Sequence, residues 1–147
     1  MSLRNIYRKD VVSVKPGTMV NEVARLMEEK NIGSVVVQNA ARRGEKEEFG
    51  IVTDRDIALR VVGKDLDPAK TPIENVMTHN FVLVLREDLG LFEALEQVRK
   101  SAVRRFPVIG IDGELKGIIT LDDIITLLGK EMADVARIIE NEGPLAV

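Results

Sequence analysis

Gly50-Ile51-Val52-Thr53-Asp54-Arg55-Asp56-Ile57 returns sixty-seven positions later as Gly117-Ile118-Ile119-Thr120-Leu121-Asp122-Asp123-Ile124. In each octet an apolar run ends in a threonine, and an aspartate stands three residues beyond it. Gly50 corresponds to Gly117, Thr53 to Thr120, Asp56 to Asp123 and Ile57 to Ile124. One such octet carries little information. Two in corresponding places mark an internal repeat, which sets the architecture before any single element does.

Working outward, the β-branched runs predict strands at residues 11–14, 34–38 and 49–53, and again at 81–85, 106–109 and 115–120. Val20, Val23, Ala24 and Met27 form one helical face, with Thr18 as N-cap, an end near Lys30 and Gly33 as the break. Leu91, Ala94, Leu95 and Val98 repeat that face. A helix opening at Asp54 runs to about Gly63. The last opens at Asp122 and continues an apolar face through Met132, Val135, Ile138 and Ile139, past a break at Gly129, to Gly143-Pro144. Pro107 points to an edge strand or a strand start, and Ile111-Asp112-Gly113-Glu114 to a tight turn.

Val20–Val37 map onto Leu91–Val108 at an offset of 71, whereas the octets map at 67. The four-residue difference falls in the hairpins, twelve residues from Gln38 to Phe49 against eight from Ile109 to Lys116. A duplicated fold tolerates a length change there. The expected class is α/β (α+β): two β-α-β-β-α units at residues 6–63 and 79–130, a connector at 64–78, and a C-terminal helix and tail at 131–147. Units of about 60 residues are marginal alone, so the two are expected to pack as one globule.

The composition excludes several classes of function. With no cysteine and one histidine, His79, disulfide frameworks, thiolate zinc sites and histidine-rich metal centres are ruled out. The residues show no nucleophile–base pair, so no catalytic or metal-ligating residue is assigned and no enzyme is expected. There is no apolar run of membrane-spanning length, and Met1–Asn5 lacks an apolar signal core, so the expected location is the cytoplasm. A net charge of −3 argues against bulk nucleic-acid binding.

The strand order and both octets, with Val76-Met77-Thr78 and Val103-Arg104-Arg105-Phe106-Pro107-Val108, resemble a tandem pair of CBS (cystathionine-β-synthase-type) domains over residues 6–130. The resemblance implies a pseudo-twofold pair with two clefts between the sheets and dimerisation into a flat disc. It also implies adenosine-type ligands such as AMP, ADP, ATP or S-adenosylmethionine. No obligatory cofactor is implied. The hydroxyl residue then meets phosphate and the carboxylate meets ribose, which carries over to Thr53 and Asp56 and to Thr120 and Asp123. The base pocket falls at Asp10–Val12 and Gly33–Val35 in unit one, and at Thr78–Val82, including Asn80 and Val82, and Arg104–Pro107 in unit two.

The residues support that chemistry and also a plainer one. A strand ending at Thr53 and a helix starting at Asp54 expose backbone N–H groups, a natural phosphate seat, and Asp56 offers acceptors to a vicinal diol. Equally, Thr53 and Thr120 can simply cap helices. Arg55 can reach a phosphate or stay solvated; Arg104 and Arg105 can bind an anion or balance nearby acids. Phe106 can stack on a base or fill a core. Unit one has Gly33-Ser34-Val35-Val36 where unit two has Arg104-Arg105-Phe106-Pro107, so the clefts are not equivalent, and the one beside the Gly117 octet is expected to be occupied. Two functions compete: a homodimeric nucleotide-sensing regulatory module acting on an unidentified protein, or a structural dimerisation module with empty clefts.

Overall fold

The computed structural model describes residues 1–39, 47–78, 83–101 and 103–142. Residues 40–46 of the long first hairpin, the start of the strand expected at residue 81, and Gly143-Pro144 lie outside the described residues. Unit one comprises β1 (Ser13–Val14), α1 (Val20–Lys30), β2 (Ser34–Asn39), β3 (Glu48–Thr53) and α2 (Asp54–Arg60). Unit two comprises β4 (Leu85–Arg86), α3 (Leu91–Val98), β5 (Arg105–Ile109), β6 (Leu115–Thr120) and α4 (Leu121–Asn141). Each unit folds as a three-stranded sheet in which the first strand is parallel and the third antiparallel to the middle one.

The register confirms the duplication. Val14 faces Val37 in unit one, and Leu85, seventy-one positions on, faces Val108. β2 is buried on both faces, which is why three valines run consecutively. Val35 and Val37 pack with Val20, Val23, Met27 and Val52 under α1. Val36 points the other way, with Ile51, against Leu115 and Ile118 of unit two. That second face joins the sheets.

Several boundaries differ from the sequence reading. β1 is only Ser13–Val14. Met19, not Thr18, is the N-cap of α1; the Thr18 hydroxyl donates instead to the Lys15 carbonyl at 2.7 Å, closing the Pro16-Gly17 turn. α1 ends at Lys30 as expected, but its C-cap is Asn31 in the left-handed conformation (φ 52°), two residues before Gly33. Pro107 lies within the central strand, not at an edge. Its counterpart Val36 donates its N–H to Val12 at 2.9 Å. Proline has no such donor, so β4 pairing begins one step later, at Val108. α4 runs unbroken through Gly129.

The termini of the units are exchanged. The turn Leu3–Asn5 packs on unit two, with Leu3 fully buried among Leu85, Leu91, Phe106 and Ile119. The matching turn Ile73–Asn75 of the connector places Ile73 and Val76 in the core of unit one. Arg8 then bridges to Ile118 on the outer edge of β6, and Thr78 to Ile51 on the outer edge of β3. Tyr7 and Met77 consequently lie across Gly117 and Gly50. These octet glycines are small because a chain segment crosses them.

Among the described residues no helix is long and apolar enough to cross a membrane.

Candidate functional site

Both octets form the same reciprocal cap. The Thr53 hydroxyl accepts the Asp56 N–H at 3.1 Å, and the Asp56 carboxylate accepts the Thr53 N–H at 2.9 Å. In unit two the equivalent distances for Thr120 and Asp123 are 3.0 and 3.1 Å. Each threonine keeps its O–H free to donate, and each aspartate keeps one oxygen outside the cap.

The backbone seat expected at the helix starts is largely occupied from within. Asp54 N–H donates to the Gly33 carbonyl at 3.1 Å, and Arg55 N–H to the Asp54 carboxylate at 2.8 Å. Leu121 N–H donates to the Arg104 carbonyl at 3.0 Å. An anion at the unit-one turn therefore depends on the threonine hydroxyl and arginines, whereas at the unit-two turn the Asp122 N–H stays available beside them.

The second aspartate oxygens differ. Asp56 Oδ1 has Arg60 at 3.8 Å, a long contact. Asp123 Oδ1 accepts from Arg8 Nε at 3.1 Å and Nη2 at 2.8 Å. Burial pushes the Asp123 carboxyl up, but hydrogen bonds from Thr120 and Arg8 outweigh it and hold its pKa below the usual carboxylate value.

A cleft of about 270 Å³ opens between the sheets. Asp10, Val12, Gly33, Ser34 and Val36 line it from unit one, Arg105, Ile118, Thr120 and Asp122 from unit two, and Arg8 from the N-terminal segment. The expected base-pocket residues of unit one thus share a cleft with Thr120 of the unit-two octet, while Gly33 and Ser34 also adjoin the octet of their own unit. Thr53 pairs with Ser34 across β2 and β3, and Arg55 and Asp56 follow it on α2. A larger hollow of about 440 Å³ lies at Phe49, Gly50, Glu74 and Met77, away from both aspartate caps. Its carboxylates Glu47, Glu48 and Glu74 repel an anionic ligand.

Two sequence candidates belong to the core instead. Phe106 is fully buried among Leu3, Leu85, Val108 and Ile119 and offers no stacking face. Val35 is its counterpart in unit one and is equally buried. Strand alternation explains both: Ser34 and Val36 face the cleft, so Val35 cannot. Pro107 is buried opposite Ile118. Arg104 is exposed and pairs with Asp122 at 3.1 Å. Thr78 holds in unit one the edge position of Arg8. Asn80, Val82 and His79 lie outside the described residues. The sequence reading did not place Arg8 or Val36 at the cleft. Alternation along β2 could have found Val36; no local signal points to Arg8.

The fold and cleft define a duplicated α/β module whose inter-sheet cleft is shared between its halves. The CBS domain model matches residues 3–63 and 73–130, and the chain belongs to the CBS domain family as a tandem pair. Relatives include an uncharacterized protein of Methanopyrus kandleri, 33% identical over 126 residues, covering 85% of this chain and 61% of that protein. The inosine-5'-monophosphate dehydrogenase of Aquifex aeolicus is 35% identical over 114 residues, covering 78% of this chain and 22% of that enzyme. The chain therefore spans less than two thirds of either relative's length. Among solved structures, a conserved protein from Pyrococcus horikoshii is 29% identical with a TM-score of 0.68, over 86% of this chain and 90% of that one. The CBS domain pair of protein MJ0100, in complex with 5'-methylthioadenosine and S-adenosyl-L-methionine, is 25% identical with a TM-score of 0.69, over 89% and 98%.

Proposed function

We propose that the chain is a regulatory module that binds an adenosine-type ligand and passes its occupancy to a partner protein or across a homodimer. The carrying observation is the shared cleft, where Thr120 and Arg105 face Asp10, Gly33 and Ser34 with Asp123 alongside. It combines a hydroxyl donor, a cation for phosphate and a carboxylate for a ribose diol. The complex of the MJ0100 pair with 5'-methylthioadenosine and S-adenosyl-L-methionine supports an adenosine-type ligand, and AMP, ADP, ATP and S-adenosylmethionine are the candidates of that class. We read the module as regulatory and not catalytic, because its two octet carboxylates serve helix caps.

Thermal melting with AMP, ADP, ATP, S-adenosylmethionine and NADH tests this. A ligand at a hundred times its Kd adds about 2.7 kcal/mol of stability. Asp123→Ala is expected to remove the shift and Asp56→Ala to reduce it less. No shift with any ligand up to millimolar concentration would leave the structural dimerisation reading.

That second reading has its own support. Ile125, Leu128, Met132, Val135 and Ile139 on α4 follow alternating three- and four-residue steps, and all are exposed in the single chain. With Ile138 (63% exposed) beside them, they fit a second copy of the same helix. Ile139→Lys is expected to weaken a homodimer at least roughly tenfold, since it places an unpaired charge in the seam. Light scattering showing an unchanged mass for the variant would place the interface elsewhere.

A further inference from the structure

The two octet aspartates have the same cap but different company. Both oxygens of Asp123 are engaged, Oδ2 by the Thr120 N–H and Oδ1 by two nitrogens of Arg8. A ribose diol approaching Asp123 has to take the place of Arg8. The Arg8 backbone cannot follow: it exchanges hydrogen bonds with Ile118 at 2.9 and 3.0 Å, and Leu3 anchors the segment in the core of unit two. Its side chain can move, being 62% exposed, while the carboxylate it holds is 16% exposed.

Where the guanidinium goes decides which ligand fits. A neutral nucleoside on Asp123 leaves Arg8 to solvent or to Asp10, in a cleft that also holds Arg105 and an Asp122 already paired with Arg104. A ligand with an anionic 5' group offers Arg8 a new partner within the same cleft, and a phosphate suits the planar fork of a guanidinium. Unit one has Thr78 at the corresponding edge, which can make no such exchange. We propose that Arg8 is a specificity-determining residue of the Asp123 cleft, selecting phosphorylated adenosine ligands over neutral nucleosides by exchanging Asp123 for the ligand phosphate. This rests on the nucleotide-binding reading above.

Calorimetric titration of the full chain with adenosine and with AMP separates the two ideas. The wild type is expected to favour AMP by roughly tenfold or more. Arg8→Ala is expected to tighten adenosine about threefold, as in loss of an exposed competing ion pair, and to weaken AMP about tenfold. Arg8→Gln keeps most of the side-chain bulk and is expected to shift the ratio the same way, so the comparison survives poor folding of the alanine variant. Equal changes for both ligands, or none, overturn the role of Arg8 and leave the nucleotide reading intact. No binding of either ligand to wild type or variants overturns both.

Discussion

Gly117→Ala is expected to destabilise the protein by about 3 kcal/mol, several times the cost of Gly50→Ala, although the two glycines hold the same place in the repeat. A Cβ on Gly117 would lie 2.9 Å from Tyr7 Cε2 and closer still to Tyr7 Cδ2 and the Arg8 carbonyl oxygen. That carbonyl accepts the Ile118 N–H at 3.0 Å, so it cannot retreat without breaking the bridge between the N-terminal segment and β6. Tyr7 is also held, its O–H donating to Glu87 at 3.2 Å. At Gly50 the three atoms nearest the added Cβ all belong to the Met77 side chain, a flexible thioether that can change rotamer. Alanine also restricts the unfolded chain at both positions, recovering about 0.4–1 kcal/mol, which brings the Gly50 change near neutral but not the Gly117 change. Urea unfolding of the two variants checks this, and equal losses would show that the crossing segment yields as easily as a methionine.

Phe106→Ala is expected to cost about 3–5 kcal/mol, the range for an aromatic side chain removed from a packed interior. Phe106 has no exposed surface and touches both the strands of its sheet and Leu3 from the far end of the chain. The cavity would be bounded by Leu85, Val108, Ile119 and Leu3, which are held by backbone pairing and cannot collapse fully into it. Urea unfolding and AMP titration of Phe106→Leu, run side by side, separate core filling from base stacking. A smaller stability loss with affinity retained is expected. Lost affinity with unchanged stability would return Phe106 to the ligand.

These two positions show where sequence reading reached its limit. The apolar spacing of α1 and α3 and the consecutive valines of β2 were legible because each reports a local period or a doubly buried strand. The Thr–Asp caps were legible too, since all their partners lie within three residues. Phe106 was ambiguous because a strand beside a cleft has one face in the core and one facing ligand, and only the register decides which. Thr18 lost the cap of α1 to a competing turn, and Gly129 broke nothing because helical bonds on both sides carried the chain through it.

From its amino acids alone this chain is a duplicated β-α-β-β-α protein, with two capped strand-to-helix turns at Thr53 and Thr120. Hydrophobic periodicity and short-range hydrogen bonding are written in neighbouring residues. Tertiary structure alone decided that each unit is completed by the segment preceding the other, and that one cleft joins Gly33 and Ser34 to Thr120. It also decided that Arg8 holds Asp123 across 115 positions of sequence. Those contacts follow from how two half-buried sheets cover each other's faces and edges, and no window of sequence spans them.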